Sequence, residues 1–190
     1  GAAVVDDCGV CSEGTTGLIF NADQDCAGEC FGAAVVDVCG VCDGDGLSCV
    51  ASLSLGNFDS SGSLEILYDF GGPVATFQFD VSGLDLTGGF GGAVADAGIM
   101  LSVSGATVVG LSFGTSEIAE GSGILTTLSF DSVTSEITEL SLGNFGAVSD
   151  ISGNPYNATA FGTINHGLPD CLGIYYGTAV VDDCGVCEGN

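Results

Sequence analysis

The sequence predicts an all-β protein, a β-sandwich with jelly-roll or Greek-key connections, flanked at both ends by small cysteine-rich units dominated by loops. Two observations predict this fold class. Between about residues 50 and 166, apolar and polar side chains alternate with a period of two, which is typical of half-buried strands. Outside that segment, an eleven-residue cysteine motif occurs three times. Interrupted arrays of this kind indicate a domain inserted between small repeats.

The charge of the chain limits what it can bind. It has 25 acidic residues, no Lys or Arg and one His, for a formal net charge of −25. Nucleic-acid binding is excluded, because phosphate contacts depend on Lys and Arg. A disordered acidic tail is also excluded, since 46% of the residues are hydrophobic and 11 are Phe. We therefore expect a folded protein that repels anionic surfaces.

The cysteine content indicates an oxidising compartment. Ten cysteines in 190 residues is an even number at a density typical of secreted proteins, so an extracellular or cell-surface location with disulfides is expected. The sequence starts at Gly1 without a recognisable signal peptide. We expect it to be a processed chain or a segment of a longer array.

The three copies of the repeated motif set the predicted domain boundaries. They begin at Gly1, Gly32 and Gly177, and each ends in Cys-Gly-Val-Cys. The middle copy is the fullest, because cysteines precede and follow it. The predicted organisation is two cysteine-rich acidic repeats at 1–49, a sandwich at 50–166 and a third repeat at 167–190.

The segment 50–166 has the pattern of about eight or nine short strands. Gly, Pro, Ser and Asn clusters separate the apolar runs and predict turns, whereas a helix is plausible only as a turn near Ala93–Ala97. The alternating apolar positions are Leu53/Leu55, Leu64/Ile66/Tyr68/Phe70, Phe77/Phe79/Val81, Leu84/Leu86, Leu128/Phe130 and Leu140/Leu142. The polar residues between them are expected on the solvent faces.

The apolar stretch from Phe90 to Phe113 is long enough to span a membrane. Its period of two instead predicts two strands, with Gly105 between the runs. Within the second run, the alternation places Val109, Leu111 and Phe113 on the apolar side. We therefore expect no membrane insertion.

Three segments of 50–166 carry a resemblance to a known fold, and they are Leu-Gly-Asn-Phe-Asp-Ser-Ser-Gly-Ser-Leu-Glu-Ile at 55–66, Phe-Gln-Phe-Asp-Val-Ser-Gly at 77–83 and Gly-Ser-Gly-Ile-Leu-Thr-Thr-Leu-Ser-Phe at 121–130. Through them, residues 50–166 resemble the cohesin-like β-sandwich of large bacterial surface proteins. The cysteine units resemble the Asp/Cys repeats beside such domains and, more distantly, thrombospondin type-3 repeats, whose loops bind calcium. The resemblance implies a non-catalytic module, but the segment is short for a dockerin-binding cohesin.

The cysteine spacing leaves two interpretations. The Cys-x-x-Cys pairs have the spacing of zinc knuckles, but disulfides are favoured because further cysteines are available as partners and the compartment is oxidising. The repeats suggest the pairs Cys26–Cys39, Cys42–Cys49 and Cys171–Cys184. Four cysteines remain, and some of them would then bridge units or subunits. They are Cys8, Cys11, Cys30 and Cys187.

The acidic loops of the first two repeats are candidate calcium sites. Oxygen ligands stand at alternate positions of Gly-containing loops, as calcium prefers. The predicted ligands are Asn21, Asp23, Asp25, Asp43 and Asp45. The recurrent Asp6, Asp37 and Asp182, with their neighbours, are expected to complete the coordination. The alternative is that these are solvated turn acids.

No catalytic constellation is evident in the sequence. His166 has no nucleophile near it and is interpreted as a linker residue, so the protein is expected not to be an enzyme. Asn157-Ala-Thr159 is a glycosylation acceptor pattern, with Asn157 as the modified residue.

Two functions remain open. The first is a structural building block of an extracellular filament, sheath or stalk, joined end to end through the cysteine units. In that case Ala2–Val5 and Ala179–Val181 would add as strands to a neighbouring copy, because their side chains cannot be buried within such small units. The alternative is a cohesin-like binding module of a large adhesin, recognising a dockerin-like protein or a glycan.

Overall fold

The computed structural model describes residues 1–37 and 39–188 of the chain. These divide into two compact units, Gly1–Cys49 and Val50–Asn190. The third cysteine-rich repeat therefore belongs to the same compact unit as the sandwich.

The first unit consists mainly of turns. Its two strands, β1 (Val4–Val5) and β2 (Cys11–Ser12), form a two-stranded antiparallel ribbon in which Val5 lies opposite Cys11. Among the described residues of this unit, only Asp6 and Ser12 are buried. Apolar burial therefore contributes little to its stability, and covalent and hydrogen-bonded links must replace a core.

The second unit is a sandwich of two sheets. Its strands are β3 (Val50–Asp59), β4 (Ser63–Phe70), β5 (Thr76–Ser82), β6 (Leu84–Phe90), β7 (Met100–Ser104), β8 (Thr107–Leu111), β9 (Gly121–Val133), β10 (Ile137–Ser141), β11 (Ala147–Ser149), β12 (Asn157–Phe161) and β13 (Thr163–Asn165). One short helix, α1 (Gly92–Asp96), follows β6 near the predicted helical turn.

The sheet order shows how the strands are arranged. One sheet has the order β12-β3-β4-β9-β6, and here it is called sheet I. The other, sheet II, has the order β13-β10-β5-β8-β7, with β11 paired to β5. The β12–β3 pair is parallel and the other pairs in both sheets are antiparallel. The predicted all-β sandwich is confirmed.

The core lies between the two sheets. Most of the predicted inward positions on β4 and β5 are buried, including Phe70, Phe77 and Phe79, each at most 2% exposed, whereas Tyr68 is half-buried. Burial of each such side chain contributes about 1.5–3 kcal/mol. No helix among the described residues is long and apolar enough to cross a membrane. The stretch considered for a membrane span instead supplies α1, β7 and β8.

The predicted orientation of β8 is wrong by one residue. Val108 is fully buried and Gly110 is buried, whereas Leu111 and Phe113 are 39% and 70% exposed. The cause is the ring of Phe77, which occupies the space that a Cβ at Gly110 would need. A glycine therefore faces the core here, and its apolar neighbours face solvent. A one-residue change of register exchanges the two faces of a strand.

Candidate functional site

One hydrogen-bonded turn recurs around single aspartates, which we call turn aspartates. The N–H of each turn aspartate donates to the carbonyl four residues later, and the N–H three residues later donates to its own carbonyl. Its Oδ1 accepts the N–H groups of the residues two and four positions later. The turn aspartates are Asp6, Asp25, Asp37, Asp150, Asp170 and Asp182.

Glycines make this turn possible. The third residue after each turn aspartate is a glycine with positive φ, for example Gly40 at 80°. In the turns of Asp25 and Asp37, the glycine seven positions later, Gly32 or Gly44, lies against the carboxylate where a Cβ would collide. The signature shared by the turns is therefore Asp-x-x-Gly, which the Asp25 and Asp37 turns extend to Asp-x-x-Gly-x-x-x-Gly.

Backbone N–H groups lower the pKa of several turn aspartates and so favour the charged form. In three of them Oδ2 accepts a further N–H from nine residues later, at Ala34, Gly46 and Ala179. The hydrogen bond from the Ala34 N–H contributes most to the lowered pKa of Asp25. The hydrogen bond from the Val41 N–H contributes most to the lowered pKa of Asp37. Hydrogen bonds to a carboxylate stabilise its ionised form. These aspartates thus act as charged acceptors that close loops.

The disulfides join neighbouring turns in a pattern that the sequence did not predict. The bridges are Cys8–Cys30, Cys26–Cys42, Cys39–Cys49 and Cys171–Cys187. Cys26 and Cys171 each directly follow a turn aspartate and bond to the cysteine sixteen residues later. The expected pairs Cys26–Cys39, Cys42–Cys49 and Cys171–Cys184 are wrong, because the turn places the two members of a Cys-x-x-Cys pair against different partners.

Cys11 and Cys184 are exposed and form no disulfide in this structure, although bridges were expected at all ten cysteines. Cys11 stands five residues after turn aspartate Asp6. Cys184 stands two residues after turn aspartate Asp182, to which its N–H donates. Both therefore occupy positions that are bridged in other turns.

The predicted calcium ligands lie in and beside these turns. Asp25 is a turn aspartate, so its carboxylate already accepts three N–H groups. The Asn21 side chain exchanges hydrogen bonds with Asp7, and Asp45 accepts the Leu47 N–H. Among the described residues, no group of three or more His, Cys, Asp or Glu is arranged to hold a metal ion. Calcium at Asn21, Asp23, Asp25, Asp43 and Asp45 stays a prediction.

The apolar segments beside the turns are paired within their own units. Val5 lies opposite Cys11, and Val181 forms a bridge opposite Cys187. Their side chains remain 65% and 56% exposed. Val36 of the internal copy is also exposed, at 57%. Exposed valine side chains are thus common to all three copies of the motif. Strand addition to a neighbouring copy stays a prediction.

The outer face of sheet II carries little charge for so acidic a chain. Register places Met100 beside Leu111 and Leu111 beside Thr76, and in the next row Val109 lies between Ser102 and Gln78. Its acidic residues are Asp80, which accepts a hydrogen bond from the Thr107 hydroxyl, and Glu139. The other outward residues are Ser82, Ser104, Ile137, Ser141, Ala147, Ser149, Thr163 and Asn165.

The outer face of sheet I is more acidic. Its outward acids lie on four of its five strands and are Asp59, Glu65, Asp69, Asp85 and Asp131. An apolar row also crosses it, since Phe161 lies beside Ser54, Ser54 beside Leu67 and Leu67 beside Ile124. The two faces therefore differ mainly in charge.

His166 is a packing residue rather than a linker residue. It is 9% exposed, and its two ring nitrogens lie 2.8 Å from the Thr138 hydroxyl and 2.7 Å from the Tyr176 hydroxyl. Its ring packs 4.9 Å from that of Phe58. Burial lowers the pKa of His166, so the neutral ring is favoured. The signal for this contact was Tyr175-Tyr176, since the position of Tyr175, five residues after a turn aspartate, holds cysteine in the other cysteine-rich turns.

Among the described residues, no carboxylate is hydrogen-bonded to His166, whose side-chain partners are the hydroxyls of Thr138 and Tyr176. This arrangement suits packing better than acid–base chemistry. Asn157 begins β12 and is exposed. Glycosylation of Asn157 stays a prediction.

Comparison with known proteins finds similarity only at the level of fold. No family model and no curated protein matches the chain. A non-cellulosomal cohesin from the archaeon Archaeoglobus fulgidus is 17% identical, with 60% of this chain and 89% of that chain covered and a TM-score of 0.44. The sixth cohesin from Acetivibrio cellulolyticus scaffoldin B, solved in complex with a mutant Cel5 dockerin, is 16% identical, with 60% and 96% covered and a TM-score of 0.45. Neither similarity identifies a partner of this chain.

Proposed function

We propose that this protein is an extracellular protein-recognition module, and that the outer face of sheet II binds its partner. The observation that carries this proposal is the composition of that face. It presents Met100, Val109 and Leu111 among hydroxyl and amide side chains. Depletion of charge around a partly apolar centre is typical of the middle of a protein interface.

The charge of the chain favours a partner different from itself. Two copies at −25 repel each other, whereas a protein that carries Lys and Arg around its contact surface is attracted. The low charge of the face keeps the desolvation cost of binding small, while the acids elsewhere accelerate encounter. A dockerin-like protein with basic residues beside its apolar contact is the partner class that we propose.

Matched substitutions on the two outer faces test this proposal. Leu111→Asp and Ile124→Asp introduce the same charge at positions that are 39% and 41% exposed on sheets II and I. Wild-type protein on beads would capture partners from the extracellular fraction of the producing cells, and each captured protein would then be prepared pure and titrated calorimetrically.

We expect Leu111→Asp to weaken the affinity roughly tenfold or more, and Ile124→Asp to leave it nearly unchanged. The association rate should also fall as salt is raised. An equal loss of affinity in the two variants would refute the assignment of the face. So would a captured partner whose affinity neither substitution changes.

The structural role remains the second candidate. The observation that favours it is the pair of unbridged cysteines, Cys11 and Cys184, at positions that are bridged elsewhere. A filament would require the protein to form long regular particles in negative-stain microscopy. Particles that remain single beads under oxidising conditions would exclude it.

A further inference from the structure

The position of a cysteine within its turn can be compared between repeats. Cys8, Cys39 and Cys184 each stand two residues after a turn aspartate, and we call this the +2 position. The +5 position, five residues after a turn aspartate, is occupied by Cys11, Cys30, Cys42 and Cys187. Because the turns share their backbone hydrogen bonds, equal positions have equal local geometry.

The Cys8–Cys30 bridge joins these two positions in successive turns. Cys8 is the +2 cysteine of the Asp6 turn, and Cys30 is the +5 cysteine of the Asp25 turn, which follows it along the chain. Their Cα atoms are 5.3 Å apart, a normal separation for a disulfide. The structure thus contains an example of a +2 cysteine bonded to a +5 cysteine of the next turn.

Of the two unbridged cysteines, one occupies a +2 position and the other a +5 position. Cys184 is a +2 cysteine and Cys11 is a +5 cysteine, and both are exposed. We propose that Cys184 of one copy forms a disulfide with Cys11 of a second copy, so that the Asp6 turn of the second copy follows the Asp182 turn of the first. The bond would repeat the Cys8–Cys30 pairing between molecules.

This bond joins different surfaces of the two copies, so each copy retains one reactive cysteine. Heterologous contacts of this type generate open chains unless they close into a ring. A covalent bond would hold copies with a charge of −25 together, whereas noncovalent contacts would have to overcome their repulsion. The proposal is independent of the partner-binding face on sheet II.

The chemistry is thiol–disulfide exchange with a small disulfide such as oxidised glutathione. The Cys184 thiolate attacks that disulfide, forms a mixed disulfide and releases one glutathione thiolate. The Cys11 thiolate then attacks the cysteine sulfur of the mixed disulfide and releases the second glutathione. The two protein thiols are oxidised, the small disulfide is reduced to two thiols, and the two protein protons end on them.

Single serine variants test the direction of the bond. Wild-type protein in a glutathione redox buffer should form a ladder of multimers on a non-reducing gel, which collapses to one band on reduction. Cys11→Ser alone and Cys184→Ser alone should each stay monomeric. Mixing the two variants should give a dimer and nothing larger, and peptide mapping should identify Cys184 linked to Cys11.

A matched control tests whether the turn alone is sufficient. Ser152 occupies the +2 position of the Asp150 turn in the sandwich, and its N–H donates to Asp150 as that of Cys184 donates to Asp182. The double variant Cys184→Ser, Ser152→Cys should form far fewer multimers than wild type. Equal multimer formation would show nonspecific oxidation and overturn the proposal.

Other outcomes are equally decisive. Dimers formed by each single serine variant alone would indicate symmetric Cys184–Cys184 and Cys11–Cys11 bonds. A monomeric wild-type protein without free thiols would indicate a bond within one chain, and a monomeric protein that retains both thiols would indicate none. Each of these results would overturn the head-to-tail bond without affecting binding at sheet II.

Discussion

The side chain of His166, at the end of the sandwich, is hydrogen-bonded to the hydroxyl of Tyr176 in the third cysteine-rich repeat, with 2.7 Å between Nδ1 and the hydroxyl oxygen. The same ring contacts the Thr138 hydroxyl through Nε2. The Tyr176 ring lies 5.9 Å from that of Phe58. This aromatic cluster attaches the third repeat to the sandwich.

Removing the Tyr176 hydroxyl should loosen this attachment. Tyr176→Phe leaves a buried His166 nitrogen without its partner, so we expect the free energy of unfolding to fall by about 1–3 kcal/mol. Tyr175→Phe is the matched control, because its hydroxyl is not part of this hydrogen bond. Chemical denaturation of both variants measures the difference, and equal stabilities would show that the bond contributes nothing.

Acidification should weaken the same attachment. The folded protein lowers the pKa of His166 below its ordinary value of 6.5, mainly through burial. The unfolded state therefore takes up a proton first, and the stabilising effect of the neutral ring is complete above pH 6.5 and lost as the pH falls through the lower folded pKa. Hydrogen exchange of residues 170–188 between pH 7.5 and 5.5 should accelerate beyond the intrinsic pH effect. His166→Gln should remove that excess, and its persistence in this variant would assign the effect to another group.

Reduction should unfold the first unit and leave the sandwich folded. Gly1–Cys49 buries almost no apolar side chain, whereas the sandwich has a large apolar core. Opening Cys26–Cys42 alone, by replacing both residues with Ala, should destabilise the unit by roughly 3 kcal/mol, as expected for a loop of this length. Two-dimensional NMR with and without reductant distinguishes the units. A first unit that keeps dispersed signals after complete reduction would contradict this expectation.

Turn aspartates should matter more than other loop acids. Asp37→Asn removes the charge from a side chain that accepts three N–H groups, whereas Asp45 accepts one from Leu47. Asp45→Asn is therefore the control, with the same change of charge. Hydrogen exchange in the first unit should accelerate clearly more in Asp37→Asn.

The turn of Asp37 should also respond to acid. Its pKa is lowered below 3.8, chiefly by the Val41 N–H, so its stabilising effect is present above pH 3.8 and lost as the pH falls through the folded pKa. Acid titration of the wild type and of Asp37→Asn checks this. A first unit that opens at the same pH in both proteins would show that Asp37 does not control the transition.

Calcium, if it binds as the loop acids predict, should stabilise the first unit selectively. A cation between Asp23, Asp43 and their neighbours would relieve repulsion in a chain without Lys or Arg. Calorimetric scans with calcium or chelator, compared with the variant Asp23→Asn, Asp43→Asn, measure the shift. Absence of both a binding heat and a shift in the wild type would exclude these ligands.

The strands could be predicted from sequence because their pattern is local. Alternation at Phe77, Phe79 and Val81 is a direct consequence of strand geometry, and these side chains are buried. The orientation of β8 could not be predicted in the same way. Gly110 faces the core only because the ring of Phe77, from a neighbouring strand, occupies the space above it.

In the repeats as well, the sequence predicted the local pattern but not the contacts made after folding. Three identical copies of Cys-Gly-Val-Cys indicated an array, but the structural unit is the turn. Successive turn aspartates such as Asp25 and Asp37 lie twelve residues apart. Asp-x-x-Gly was visible in the sequence, yet its role as an acceptor of backbone N–H groups was not, because isolated loop acids have the same composition.

The sequence by itself determined the all-β class, the strand segments, the acidic character and the cysteine-rich repeats, since these follow from composition and short-range periodicity. The tertiary structure decided which cysteines bond, which side of β8 faces solvent and that His166 contacts Tyr176. These depend on atoms distant in sequence that meet only after the chain has folded, so no local pattern specifies them.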